Sequence, residues 1–97
     1  MKVKPNQEVL SYDNTPLKDS DGSVVTIKAL IVNSINSVDK EEGGSGEDKM
    51  RAFELSVKMY SQEEVELNIE ERNFILKKAE KVLVPIAYGR LKEVLDQ

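Results

Sequence analysis

Residues 68–95, NIEERNFILKKAEKVLVPIAYGRLKEVL, decide how this chain folds, because they specify two helices and the break between them. Asn68 suits an N-cap, since its short side chain accepts from free amides of the first turn. Glu71, three residues on, can reach back to the cap's amide and close a capping box. Ile69, Ile75, Leu76, Ala79, Val82 and Leu83 then recur near the 3.6-residue period, and Lys77, Lys78 and Lys81 crowd the last turns, where cations suit the helix dipole. Pro85 lacks an amide hydrogen and disfavours helical geometry at Val84, so one helix stops there and the next begins. The expected elements are Ile69–Val82 and Pro85–Leu95. Val84, Ala87, Tyr88, Leu91, Val94 and Leu95 form the second apolar face. Gly89 inside that helix costs about 1 kcal/mol against alanine, which suggests a close backbone neighbour.

Upstream, Thr26 caps a helix expected over 27–37, with Ile27, Leu30, Ile31, Ile35 and Val38 on one face. Asn33, Ser34, Asn36 and Ser37 are weak helix formers and line the other. A further helix is expected over 47–60. Met50, Phe53, Val57 and Tyr60 recur at helical spacing, and Ala52, Leu55 and Met59 widen the face, so this helix reads as central to the core. Residues 17–25 form a hairpin signal, with apolar residues on either side of a turn ending in Asp21-Gly22. A calcium loop at Asp19-x-Asp21-Gly22 fails, because Val24, Val25 and Ile27 stand where further ligands belong. Val3, Val9, Leu10 and Tyr12 suit a short strand or ordered arm, and Val65-Glu66-Leu67 a short strand beside the hairpin. No internal repeat is visible. The expected fold is one α+β domain over 1–97, mostly helical, with an N-terminal hairpin packed on three to four helices.

Composition removes whole classes of chemistry. The chain has no cysteine and no histidine. Disulfides, thiolate catalysis, sulfur-type zinc sites and the commonest general base are therefore excluded. The adjacent carboxylates Glu63-Glu64 and Glu70-Glu71 read as solvated faces, and Gly43-Gly44-Ser45-Gly46 lacks the lysine-serine of a phosphate loop. Neither an enzyme nor a cofactor is indicated. No apolar run approaches the roughly 18 residues of a membrane span, and residues 1–10 do not form a signal peptide.

Charge points to a partner. The glycine-rich segment 39–48, DKEEGGSGED, carries five acids and one lysine, a net of −4 that equals the whole chain's. Read as a flexible loop, it either solubilises the chain or offers an acidic contact through Glu41, Glu42, Glu47 and Asp48. The apolar face around Tyr88 is the other candidate contact for a protein partner. A nucleic-acid contact would use Lys77, Lys78, Lys81, Arg90 and Lys92. It is disfavoured by a pI near 4.9, by Glu80 and Glu93 within the patch, and by the lack of aromatic stacking residues. Self-association is open, because a small helical domain can cover a spare apolar face by dimerising.

The segments PLKDSDGSVVTIKALIVNSI, GEDKMRAFELSVKMY and VELNIEERNFILKKAEKVLVPIAYGRLKEVL, in that order, resemble small uncharacterised proteins encoded by tailed phages and prophages. The likeness spans residues 15–96 and consists of packing patterns, so it carries over no catalytic residue. It implies a non-enzymatic accessory protein of the host cytoplasm. Such a protein acts by protein binding, either on a host factor or in virion assembly.

Overall fold

In a computed structural model, which describes residues 1–37 and 46–96, the order of elements is β1 (Lys2–Val3), α1 (Ile27–Ile35), α2 (Gly46–Ser61), β2 (Val65–Glu66), α3 (Ile69–Val82) and α4 (Pro85–Leu95). The fold is α+β and mostly helical, as its apolar periodicities indicate. Residues 38–45, where most of the acidic segment falls, and Gln97 lie outside the described residues.

The central helix is α1, not α2. It packs against α2, α3 and α4, with Ile27, Leu30, Ile31 and Ile35 buried. Ser34, expected on the outer side, is fully buried instead, and its hydroxyl donates to Leu30 O at 2.7 Å, which removes the cost of burying it. The first four amides of a helix have no intrahelical acceptor. Here each finds one: Ile27 N donates to Gln7 O, Lys28 N to Pro5 O, Ala29 N to Thr26 Oγ1 and Leu30 N to Thr26 O. The N-terminal segment thus holds the start of the central helix.

That segment is more regular than the sequence suggests. Val9 N donates to Val25 O, Val25 N to Leu17 O and Leu17 N to Val9 O, each at 2.8 Å, so three residues eight apart close a ring of hydrogen bonds. Antiparallel bridges flank the ring at Glu8–Thr26, Leu10–Pro16 and Lys18–Val24. The expected hairpin over 17–25 is present and has a twin immediately before it. Each has a turn closed by a left-handed residue, Asn14 at φ 66° and Gly22 at φ 87°. Asparagine and glycine are the residues that tolerate this conformation. Asp13 Oδ1 accepts from Thr15 N and Asp21 Oδ1 from Ser23 N, one in each loop. The repeat escapes a reading of identities because only the aspartate recurs among its turn residues. What recurs otherwise is turn chemistry.

The expected strand at Val65-Glu66 exists but pairs elsewhere. It lies antiparallel to β1, with Lys2 opposite Glu66 and Val3 opposite Val65. The Met1 ammonium group reinforces the pairing at 3.1 Å from both Glu66 Oε1 and Leu67 O. From there the chain enters the Asn68 cap, where both halves of the capping box form: Glu71 N to Asn68 Oδ1 at 2.7 Å and Asn68 N to Glu71 Oε1 at 3.0 Å. Phe74, Ile75, Leu76 and Ala79 bury one face of α3, while Ile69 and Val82 at its ends stay exposed. Ala87, Leu91 and Leu95 bury α4. Gly89 is exposed, and a Cβ built there meets nothing within 4 Å, so no backbone passes close by.

Candidate docking surface

Helix α2 carries two apolar faces, and only one of them reaches the core. Ala52, Leu55 and Met59 are buried. Met50, Phe53, Val57 and Tyr60 lie on a separate stripe and are 55%, 61%, 48% and 68% exposed. The four sit at spacings of three, four and three, which places them in one line along the helix. With its own neighbours limited to one side, α2 has more apolar surface than the fold can cover.

The two edges of this stripe differ in charge. Along the edge nearer α1, Lys28 Nζ stands 4.6 Å from the centroid of the Tyr60 ring, and Lys49 follows on α2 itself. Ser56 on this edge accepts from Asn36 Nδ2 at 2.9 Å, tying α2 to the end of α1. Along the opposite edge Glu47, Met50 and Glu54 border a shallow groove whose far wall is Asn68, Glu70 and Glu71. Arg51 also lines that groove and Lys58 pairs with Glu71 at 3.4 Å, but the charges that directly flank the apolar line are Lys28 and Lys49 on one side and Glu47 and Glu54 on the other.

The candidate contacts from sequence are distributed as follows. Glu41 and Glu42 lie outside the described residues. Glu47 is exposed in the first turn of α2, and Asp48 beside it is half-buried. Tyr88 packs against the core and is also half-buried. Lys77, Lys78 and Lys81 do come together, joined by Arg51, which the sequence reading did not single out. With Asp48 and Glu70 they line a groove of about 440 Å³ between α2 and α3. Arg51 and Lys78 already lie over the Phe74 ring, at 5.5 and 5.8 Å from its centroid.

Arg90 and Lys92 serve other ends. The Arg90 guanidinium donates to Leu10 O at 3.0 Å and Ser11 O at 2.8 Å, so it clamps the first turn onto α4. Lys92 Nζ pairs with Asp96 Oδ2 at 3.2 Å, and Arg72 takes the other oxygen of that carboxylate. The five basic residues therefore do not form one patch.

Chemistry is sparse elsewhere. The pKa of Asp21 is lowered to about 2, by Asp19 beside it first and then by the Ser23 amide and hydroxyl. Asp13 is lowered by the Thr15 hydroxyl and then its amide. Both carboxylates are exposed turn residues. Among the described residues no buried side-chain polar atom lacks a hydrogen-bond partner, and no helix is long and apolar enough to cross a membrane.

Compared with family models, curated proteins and solved structures, this chain finds no match.

Proposed function

We propose that this chain is a non-enzymatic, phage-type accessory protein of the host cytoplasm that acts by docking on another protein through the outer face of α2. One observation carries the reading: Met50, Phe53, Val57 and Tyr60 form a continuous exposed apolar line on a well-formed helix. Single exposed apolar residues are ordinary, whereas contiguous ones mark interaction surfaces. A helix that presents apolar residues at such spacing is a common recognition element for a groove or a second helix. The absence of histidine and cysteine supports binding over catalysis, and the likeness to phage proteins supports an accessory role.

A nucleic-acid reading has one observation in its favour, the convergence of Arg51 with Lys77, Lys78 and Lys81. Against it, Asp48 and Glu70 share that groove, two of its cations are engaged by Phe74, and the chain's net charge is −4. Phosphate binding draws its affinity from uncompensated cations, which this groove has few of.

Photo-crosslinking tests the choice. A benzophenone amino acid at position 53, introduced in the cell that encodes the chain, is expected to give a discrete protein adduct. The same probe at exposed Tyr12 is expected to give none. Equal labelling from both positions, or salt-sensitive duplex binding with no adduct at all, would overturn the proposal.

A further inference from the structure

We propose that the occupant of the α2 face is a second copy of this chain, with the two α2 helices lying side by side and parallel. This rests on the reading of that face as a protein-docking surface and names its partner.

No segment of this sequence outside the described part suits the role. Residues 38–45 and Gln97 contain a single apolar side chain, Val38, so they cannot cover four exposed apolar positions. The spacing of Met50, Phe53, Val57 and Tyr60 is that of a two-stranded helical seam, in which apolar residues alternate three and four apart. Helix α2 is already formed and held by its buried face. Pairing therefore bears none of the nucleation cost that keeps short isolated helices from associating.

Charge selects the orientation. In a parallel pair the two edges of each seam are unlike, and the position before one apolar residue faces a position five residues later on the partner. That rule sets Lys49 of each copy against Glu54 of the other, twice per dimer. Lys28 and Glu47 extend the same edges with the same signs. An antiparallel pair would instead bring like edges together and set Glu54 against its own copy. Neither Lys49 nor Glu54 has an ion pair among the described residues.

Area sets the class of interface. Four large apolar side chains about half to two-thirds exposed present on the order of 400–500 Å² per copy. This is about half of what each partner contributes to a standard stable interface. An interface of that size belongs with the weak, reversible ones, and the concentrations that test it run from about 1 μM to about 1 mM.

Sedimentation equilibrium of the full chain reads this directly. Wild type should pass from monomer to dimer over that range. Phe53→Glu should stay monomeric to about 1 mM with its far-ultraviolet dichroism unchanged, since the side chain it replaces faces solvent. Lys49→Glu and Glu54→Lys should each weaken the dimer by about tenfold, and the two together should restore it, because the pair is only exchanged. The chain has no native cysteine, so orientation can be read from single introduced ones. Val57→Cys should oxidise to a covalent dimer, because a parallel seam places residue 57 beside its own copy within disulfide reach. Cross-linking only between Met50→Cys and Tyr60→Cys chains would overturn the parallel arrangement. A wild-type monomer at about 1 mM that still gives the position-53 adduct with a different protein overturns the second copy while the docking face stands. A monomer that gives no adduct overturns both.

Discussion

In a Gly89→Ala variant, a methyl group enters the interior of α4 with nothing to meet. Beyond its chain neighbours and the backbone of its own helical turns, nothing lies within 4 Å of the new Cβ, and the backbone there is helical with no positive φ. Helix propensity then favours alanine. Glycine in a helix interior is less favourable by about 0.8–1.0 kcal/mol. Part of that difference is the larger conformational entropy of glycine in the unfolded chain, which alanine reduces. No packing term opposes it, so the expected gain is about 0.5–1 kcal/mol. For a domain near 100 residues this corresponds to a rise in Tm of roughly 2–8 °C. Urea unfolding should show the midpoint rising by several tenths of a molar with an unchanged slope. Gly89→Leu should also stabilise, by slightly less. That outcome separates the structure from the sequence-based expectation, in which leucine overpacks the site and costs about 1–3 kcal/mol. A lowered Tm in the alanine variant would mean that something does approach Gly89, and the reasoning fails.

Four further outcomes follow from named contacts. Asn68→Ala removes the side-chain half of the capping box, leaving Glu71 N without its acceptor, and should cost about 1 kcal/mol in urea unfolding; an unchanged midpoint would mean that the cap is idle. Arg90→Ala frees the carbonyls of Leu10 and Ser11 and should cost about 1–2 kcal/mol, with faster amide exchange at residues 11–15; protection equal to wild type would refute the clamp. Asp21 titrates near about 2 in the fold, and Asp13 is lowered too. Their stabilising contribution should be complete above the unfolded aspartate value of about 3.9 and vanish as pH falls through the folded ones, so an NMR midpoint near 3.9 at Asp21 would contradict the turn geometry. Finally, the two faces of α2 should respond differently. Leu55→Ala should cost about 2–5 kcal/mol, whereas Phe53→Ser should stay within about 0.5 kcal/mol under dilute, monomeric conditions. Comparable losses would show that both faces are core.

Where local chemistry alone sets a boundary, the sequence is a sufficient guide. Asn68 with Glu71 starts α3 and Val84-Pro85 separates it from α4, both without help from distant residues, whereas Thr26 marks the start of α1 but shares its capping with Gln7 and Pro5. Partnerships are another matter. Val65-Glu66 was legible as extended, but a two-residue strand carries no information about its mate, and Lys2–Val3 takes it rather than the hairpin. The ring of Val9, Leu17 and Val25 is made of backbone bonds, which no side-chain pattern announces. Gly89 misleads for a related reason. A glycine shows that a cost is borne, not that a neighbour requires it.

The exposed face of α2 is visible in the sequence but reads there as core, and the cause lies in how many apolar positions a helix can carry. On α2, Met50, Ala52, Phe53, Leu55, Val57, Met59 and Tyr60 spread over more than half the circumference, wider than the stripe a surface helix needs for one core. Two arrangements fit such a pattern. A helix surrounded by neighbours buries all seven, while a helix at the margin buries one set and exposes the other. Identity hints at the second, since the buried set contains the small Ala52 and the exposed set carries both aromatics of α2. Charge gives the firmer sign. Lys49 and Glu54 flank the exposed line, whereas a fully enclosed helix would have to desolvate both at several kcal/mol per ion. An apolar line bordered by opposite charges is therefore incompatible with a central helix. It fits an edge helix whose outer face meets a partner carrying the reverse arrangement, which a parallel second copy supplies.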